Sequence, residues 1–200
     1  MALKSIPSIA PKTSIGKPTG ATNLILNGGV ETNATGWGLA GGGTVSQART
    51  ASTAMYGDYV LRVTCTNDSQ NQGTYFGDNG ASKVSVTAES TYTGALDILR
   101  VSGSGTINLR LAWYDAADGF ISSTDSAEFA VPASRTRVTI TGTAPALTDH
   151  VRLIANRTTG NTGVVTFDVD GAQVEAGAVA TPYIHTDGTT GTRNPNKWVG

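Results

Sequence analysis

Hydrophobic and polar residues alternate in several stretches between residues 23 and 175, with the period of two that β-strands produce. The clearest stretch is residues 58–65. One of its faces, which we expect to be buried, carries Tyr59, Leu61, Val63 and Cys65. The opposite face carries Val60, Arg62 and Thr64. The pattern predicts a strand at this position and makes Cys65 a core residue.

Two further stretches, residues 106–114 and 149–157, repeat the alternation. Their apolar faces, which we expect to be buried, are formed by Ile107, Leu109, Leu111, Trp113, Val151, Leu153 and Ala155. Their outward faces are formed by Asn108, Arg110, Ala112, Tyr114, His150, Arg152, Ile154 and Asn156. Trp113 is thus predicted to lie in the core.

Glycine-rich and Asn- or Asp-rich turns separate these stretches from additional short β segments. The additional strands are predicted near residues 23–31, 44–49, 83–87, 91–101, 120–130, 135–142 and 163–175. No stretch has a convincing helical period. About eight to ten antiparallel strands of this length and spacing are typical of an all-β fold, an antiparallel two-sheet jelly-roll sandwich.

Both ends of the chain depart from this pattern. Residues 1–21 contain three prolines and irregularly spaced aliphatic residues, which are Leu3, Ile6, Ile9 and Ile15. Because proline favours extended backbone, we interpret this segment as an extended N-terminal anchoring arm, with a disordered terminus as the alternative. Residues 22–185 then form the jelly roll, and residues 186–200 form a C-terminal tail.

Composition narrows the classes of partner. Charged residues make up 14% of the chain, and 14 lysines and arginines balance 15 aspartates and glutamates. A nucleic-acid partner bound through charge requires a basic excess, so that class is excluded. No apolar stretch approaches the roughly 20 residues of a membrane-spanning helix, and we expect no membrane insertion. The single cysteine excludes an internal disulfide bond.

Motifs of catalytic sites are missing from the sequence. The chain has no Gly-x-Ser-x-Gly nucleophile motif, no Walker loop and no His-Glu-x-x-His zinc motif. Its two histidines, His150 and His185, lack the spaced cysteine, aspartate or histidine partners of a transition-metal site. The sequence therefore predicts that the protein is not an enzyme.

Three stretches resemble the carbohydrate-binding-module jelly rolls. Residues 23–31, followed by Gly36-Trp37, resemble the opening strand of that family, with valine at position 30 where phenylalanine is usual. Residues 56–63 resemble its Ser-Gly-x-x-Ser-Leu-x-Val strand, with tyrosine in place of the first serine. Residues 167–177, with the Ala-Thr-Pro-Tyr exit at 180–183, are similar to the closing strand of such domains in bacteriophage tail and virion proteins. The resemblance implies a galactose-binding-like jelly roll whose first and last strands meet.

The same resemblance implies a candidate calcium site. Some members of the family hold a structural calcium with a glutamate of the opening motif and an aspartate of the closing one. The matching positions are Glu31 and either Asp168 or Asp170. The alternative is that both aspartates occupy the solvent face of a half-buried strand, because they alternate with Phe167 and Val169.

A candidate glycan-binding surface follows from the outward faces of the three clearest strands. If these strands share a sheet, their polar side chains form a platform, to which loops add aromatic residues, among them Tyr75 and Phe76. Sugar recognition needs planar polar groups for hydroxyls and an aromatic face for the ring. The candidate residues are Trp37, Arg62, Asn108, Arg110, Tyr114, Arg152 and Asn156. The alternatives are a solvated sheet face and a subunit contact.

These observations support two hypotheses about function. The first is a structural protein of a bacteriophage virion, of the minor tail or capsid-decoration (head-fibre) type. In it, the arm fastens a displayed jelly roll to other virion proteins at the capsid or tail surface. Displayed phage proteins of this kind are commonly trimers, so the resemblance implies a homo-oligomer. The alternative is a carbohydrate-binding module that adheres to glycans of the host surface.

Overall fold

The computed structural model describes residues 20–41, 44–53, 55–66, 71–158 and 163–193. The four aliphatic residues of the predicted arm, Leu3, Ile6, Ile9 and Ile15, lie outside the described residues. The last seven residues of the predicted C-terminal tail lie outside them as well.

The described residues form β-strands and no helix. In chain order the strands are β1 (Thr22–Asn23), β2 (Trp37–Ala40), β3 (Val45–Ala51), β4 (Tyr59–Cys65), β5 (Gly73–Phe76), β6 (Val84–Ser85), β7 (Thr91–Gly103), β8 (Thr106–Tyr114), β9 (Phe120–Asp125), β10 (Phe129–Ala130), β11 (Thr136–Thr143), β12 (His150–Arg157), β13 (Val165–Ala176) and β14 (Gly191–Thr192). Within the described part of the chain, no helix is long and apolar enough to cross a membrane.

Two antiparallel sheets make up the sandwich. The first has seven strands in the order β10-β8-β12-β5-β2, with β9 also pairing with β8 and β6 with β12. The second has five strands in the order β11-β7-β13-β4-β3. The predicted fold class, an all-β antiparallel two-sheet jelly-roll sandwich, is confirmed.

The core lies between the sheets and is built from the faces that alternation predicted. On the seven-stranded sheet, Leu111 and Trp113 of β8 are buried, and on the five-stranded sheet Val63, Cys65 and Phe167 are buried. Each large apolar side chain removed from water contributes roughly 1.5–3 kcal/mol, so these strands supply the main favourable term in folding. The predicted burial of Cys65 and Trp113 is confirmed, and burial raises the pKa of the Cys65 thiol to about 11.

Some strands differ from their predicted bounds. Residues 23–31 were expected to form one strand, yet only Thr22–Asn23 does so. Val30 has a positive φ of 48° that a strand does not allow. The pattern also missed β2 and β5, because each has four residues and includes glycine, too little for alternation to be visible.

The end of the described chain folds back on the closing strand, β13. Gln173 and Glu175 project from the outer face of the five-stranded sheet, yet they are buried because the segment after β13 crosses them. The backbone N–H and the hydroxyl of Thr181 donate to the Glu175 carboxylate at 2.8 and 2.7 Å. The N–H of Ile184 donates to Gln173 at 2.7 Å. The Ala-Thr-Pro-Tyr exit is thus held by the last polar residues of β13.

The opening and closing segments meet, as the resemblance implied. The side-chain amide of Asn23 donates to the carbonyls of Ala172 and Ile184, both at 3.0 Å. Strand β14 pairs with β1, which places Thr192 opposite Thr22. Residues 186–193, which the sequence placed in the C-terminal tail, therefore lie along the opening strand rather than apart from the sandwich.

Candidate binding groove

Most of the candidate binding residues come together on the outer face of the seven-stranded sheet. Strands β8 and β12 are neighbours there, and their register places Arg152 opposite Ala112. The same register pairs Ile154 with Arg110. Asn108 and Asn156 face each other one row further along. Of the seven residues predicted, five belong to this face: Asn108, Arg110, Tyr114, Arg152 and Asn156.

Four of these five side chains, all but Asn108, border an open groove of about 480 Å³. One wall is the end of β2, and the other is Phe120, whose side chain is 60% exposed at the start of β9. The floor comes from β5, β8 and β12. The lining residues are Leu39, Ala40, Gly41, Asn71, Tyr75, Arg110, Tyr114, Phe120, Arg152, Ile154 and Asn156.

Tyr75 of β5 is an aromatic platform at the β2 side of the groove. Its ring lies directly over Gly38, because these residues are paired between β2 and β5. A Cβ atom built on Gly38 would lie 2.4 Å from Cζ of Tyr75, so no side chain fits beneath the ring. The glycine therefore lets the ring settle against the backbone of β2 while it lines the groove.

Tyr114 is the second aromatic residue of the groove and belongs to a stack. Its ring lies 5.3 Å from that of His150 at an interplanar angle of 12°, and Phe120 meets it edge-on at 5.7 Å. The guanidinium of Arg152 lies 4.2 Å from the centroid of Tyr114 and 5.3 Å from that of Tyr75. Arg152 is thus held between the two tyrosines by cation–π contacts.

A chain of charged groups fixes the end of the groove near Tyr114. Asp118 receives hydrogen bonds from Arg152 at 2.7 Å and lies 3.0 Å from Nε2 of the buried His150. Nδ1 of His150 lies 3.0 Å from Asp149, which also binds Lys83. The hydrogen bond from Lys83 lowers the pKa of Asp149 below its ordinary value.

The opposite end carries amides with unused acceptors. Arg110 and Asn108 both donate to Asp125, at 2.6 and 3.2 Å. The side-chain oxygens of Asn108 and Asn156 are buried and accept no hydrogen bond from the described residues. A buried acceptor without a partner costs about 1–3 kcal/mol, so a ligand hydroxyl that satisfies it is favoured. Asn156, only 3% exposed, lines the groove itself.

Two of the predicted residues lie elsewhere. Trp37 was expected to be available from a loop, but it belongs to β2 and is buried edge-on against Phe76 at 5.6 Å, and Phe76 is buried as well. Arg62 lies on β4 in the other sheet, where it binds Asp168 with two hydrogen bonds of 2.7 and 2.9 Å. Alternation assigns a side chain to a face of its own strand and cannot tell which sheet that strand joins.

The carboxylates of the candidate calcium site are directed at the protein's own donors. Glu31 accepts the backbone N–H groups of Asp58 and Tyr59. Asp170 accepts those of Tyr56 and Gly171, and its burial raises its pKa to about 7. Both oxygens of Asp168 are taken by Arg62. No cluster of three potential metal ligands occurs among the described residues, and this donor set does not fit calcium.

Several residues of the groove were not among the seven predicted. Asn71 and Leu39 escaped because they flank or belong to the short strands that the pattern missed. Phe120 carried a usable signal, since an aromatic residue directly after the Asp-rich turn 115–119 is expected at the start of a strand. Tyr75 was named only as an aromatic residue available from a loop, and its place on β5 makes it part of the sheet.

Comparison with known proteins bears on the fold. No protein-family model matches the chain, and no curated protein matches it. The chain is similar to modules of Clostridium thermocellum endo-1,4-β-D-xylanase 10B, which include a family 22 carbohydrate-binding module and were solved with xylohexaose. The sequences are 15% identical and the TM-score is 0.59, over 79% of this chain and 29% of that one.

Two other structures are similar. The isolated C-terminal family 22 carbohydrate-binding module of the same xylanase is 14% identical, with a TM-score of 0.56 over 81% of this chain and 94% of that one. The enzymatically active domain of bacteriophage CBA120 tailspike protein 4 is 10% identical, with a TM-score of 0.59 over 77% of this chain and 21% of that one. At these identities the likeness shows the fold, which is that of carbohydrate-binding jelly-roll modules.

Proposed function

We propose that the protein is a carbohydrate-binding module and that a glycan lies in the groove on the outer face of the seven-stranded sheet. The observation that carries the proposal is the pairing, within one groove, of the Tyr75 platform with the unsatisfied buried acceptor of Asn156. Support also comes from the similar family 22 module of xylanase 10B, which uses residues of a cleft in ligand binding.

Each part of the groove has a role in this function. The ring of Tyr75 stacks on the apolar face of a pyranose, which by analogy with aromatic pairs contributes about 1 kcal/mol. The oxygen of Asn156 accepts a sugar hydroxyl, and Arg110 donates to ring or hydroxyl oxygens. The volume of the groove lies within the ordinary range for small-ligand sites.

The proposal assigns no catalytic step to the chain. A glycosidase would place two carboxylates on either side of the scissile bond. Within the part of the chain that the structure describes, no aspartate or glutamate lines the groove. The similar isolated module of xylanase 10B supports a binding role.

Binding to an array of immobilised polysaccharides tests the proposal. We expect the wild-type chain to be retained on at least one glycan, Tyr75→Ala to lose that retention, and Tyr75→Phe to keep most of it. Tyr59→Ala is the matched control, because Tyr59 contacts Arg49 on the other sheet. Equal retention of the wild type and Tyr75→Ala would show that the groove is not the site.

We further propose that the module belongs to a bacteriophage virion, where it forms a homo-oligomer, such as a trimer, on the capsid or tail surface. The support is the resemblance of the closing strand and its Ala-Thr-Pro-Tyr exit to phage proteins, together with the fold likeness to the tailspike domain. Residues 1–21 would anchor it to other virion proteins. Weak sugar contacts would then gain avidity from many displayed copies.

Incorporation into particles tests this second proposal. Purified particles should contain the full chain and should lack a variant without residues 1–20, although that variant remains folded by circular dichroism. A variant lacking residues 194–200 is the control and should be incorporated. Normal incorporation of the arm deletion, or absence of the full chain from particles, would contradict the proposal.

A further inference from the structure

The polar lining of the groove is cationic. Arg110 and Arg152 both line it, and among the described residues no aspartate or glutamate does. The carboxylates that hold these arginines come from the side: Asp125 belongs to β9 and Asp118 to the turn between β8 and β9. The carboxylates therefore orient the two guanidinium groups without occupying the groove.

We propose that the groove selects acidic glycans, with Arg110 and Arg152 binding the carboxylate of a uronic acid unit; this inference rests on the proposed carbohydrate-binding function. Charge-assisted hydrogen bonds from guanidinium to carboxylate are about twice as strong as neutral ones and often bidentate. A groove that presents two guanidinium groups therefore discriminates between a sugar acid and its uncharged counterpart.

Each arginine keeps donors that the protein does not use. Nε of Arg110 donates a hydrogen bond to Asp125, and its Nη1 lies 3.5 Å from the side-chain oxygen of Asn71, which makes a weak contact. Nη2 of Arg152 donates a hydrogen bond to Asp118, while its Nε is buried and has no partner among the described residues. The buried Nε of Arg152 is costly without a partner, and the remaining donors of the partly exposed Arg110 are open to an incoming carboxylate.

The ion pairs around the groove place its positive charges closer to a ligand than its negative ones. The three cations Lys83, Arg110 and Arg152 are balanced by the three anions Asp149, Asp125 and Asp118. Of these six residues, only Arg110 and Arg152 are among the described residues that line the groove. An anion in the groove therefore lies nearer to the two guanidinium groups than to the carboxylates that pair with them.

The aromatic residues of the groove determine where the carboxylate of a bound sugar would lie. Arg152 lies between the rings of Tyr114 and Tyr75, which restrict its movement. A pyranose stacked on Tyr75 has Arg152 beside it, and Arg110 lies in the same row as Tyr75, on the other side of Ile154. One sugar unit can thus contact the platform while its carboxylate faces the guanidinium groups.

Matched pairs of ligands test the inference on the full chain. The probes are oligogalacturonate, oligoglucuronate and oligomannuronate, each compared by calorimetry with its methyl ester, which keeps the sugar and removes the charge. We expect at least one acid to bind about tenfold or more tightly than its ester, and the difference to shrink between 50 and 500 mM salt because a charge pair is screened.

Variants localise the effect. Arg110→Gln and Arg152→Gln should each reduce the preference for acid over ester, whereas Arg100→Gln, on β7 and outside the groove lining, should leave it unchanged. Circular dichroism and thermal melting report whether each variant folds. The comparison of acid with ester on the wild type decides the question even if an arginine variant does not fold.

The outcomes separate the two proposals. Equal binding of acids and esters, or binding of neutral xylan alone, with loss in Tyr75→Ala, overturns the acidic selectivity and leaves the carbohydrate-binding function intact. An acid preference that survives in both arginine variants also overturns the inference. No binding of any acidic or neutral glycan overturns both proposals.

Discussion

The outer faces of the two sheets both carry polar side chains and use them differently. On the five-stranded sheet, Asp97, Gln173 and Glu175 are buried beneath arginines and the returning chain, and each is satisfied by the protein itself. On the seven-stranded sheet, Asn108 and Asn156 keep buried oxygens without partners. On the first face the buried atoms without a partner among the described residues are donors of Arg137 and the hydroxyl of Tyr183, whereas on the second they include the acceptors that we propose a glycan uses.

Asp97 is an example from the outer face of the five-stranded sheet, which we call the closed face. Its carboxylate receives hydrogen bonds from Arg135 at 3.2 Å and Arg137 at 2.7 Å, and it is almost fully buried. Arg135 in turn lies 3.8 Å from the ring centroid of Tyr56. Asp125 is the corresponding example from the outer face of the seven-stranded sheet, which we call the open face. It also binds an arginine, Arg110, but its side chain remains about one-third exposed. Because Asp97 is buried and Asp125 is partly exposed, we expect the loss of Asp97 to destabilise the protein more than the loss of Asp125.

The largest effect is expected for Asp97→Ala. Removing the carboxylate leaves two arginine side chains without their partner at a largely buried site, which lowers the free energy of unfolding by about 3 kcal/mol. Urea denaturation measures the change. Asp125→Ala, the counterpart on the open face, should cost less than about 1 kcal/mol because its ion pair is partly exposed. Similar losses in both variants would remove the distinction between the faces.

The second effect is a pH dependence caused by Asp170, a buried residue of the same sheet. Burial raises its pKa from 3.8 to about 7, so the folded protein binds the proton more tightly than the unfolded chain does. The stability that this proton supplies is fully present below pH 3.8 and is lost as the pH rises through 7. Over that interval the free energy of unfolding falls by up to about 1.4 kcal/mol per pH unit.

Urea denaturation between pH 5 and 8.5, in the presence of a chelator, measures this contribution as the difference between wild type and Asp170→Asn. Groups that titrate alike in both proteins cancel in this difference, so that only Asp170 contributes to it. The difference should therefore change steadily up to about pH 7 and stay constant at higher pH, where Asp170 is ionised in the folded protein as well. A difference independent of pH would show that Asp170 is already ionised throughout the range.

The third effect separates binding from stability on the open face. In Gly38→Ala, the new methyl group meets the end of the Tyr75 ring and displaces it from β2. We expect about a fivefold loss of glycan affinity, which corresponds to the roughly 1 kcal/mol of one stacking contact, with little change in melting temperature. Gly80→Ala is the control, since a Cβ there has ordinary contacts. Unchanged affinity in Gly38→Ala would remove the platform from the site.

The smallest effect on stability is expected for Asn156→Ala. Because its oxygen is already unsatisfied in the free protein, the substitution should change the free energy of unfolding by less than about 1 kcal/mol while it weakens glycan binding. Asn23→Ala makes the matched comparison: Asn23 is equally buried, but its amide donates to two carbonyls and its oxygen accepts the N–H groups of Ile25 and Val174. If both variants lose the same stability, the unpaired oxygen of Asn156 has no special role.

Alternation predicted the interior of the molecule better than its surface. Strands β4, β8 and β12 were predicted, and of the side chains assigned to their buried faces all but the half-buried Tyr59 are buried. The outward assignments were less accurate, because Val60, Ala112 and His150 are buried too. The groove was found only in part: Arg110 and Arg152 meet because β8 and β12 are neighbours, a fact of topology that the pattern does not contain.

Pairing between strands explains the remaining differences. Asp168 lies opposite Arg62 in the β13–β4 register, so the two neutralise each other instead of serving a cation or a glycan. Trp37 follows a glycine with a positive φ of 86°, whose turn directs the chain into β2 and buries the indole. Neither relation is visible until the register and the order of strands are known.

The pairing of β1 with β14 has a mechanical consequence. Thr22 and Thr192 face each other, so both ends of the described chain leave the sandwich side by side. If the two ends are pulled apart, the force acts first on the hydrogen bonds between β1 and β14, which break one after another. The force reaches the two large sheets only after this pairing is broken. A tether at either end therefore holds the molecule at nearly the same point, and tension is absorbed there before it distorts the groove.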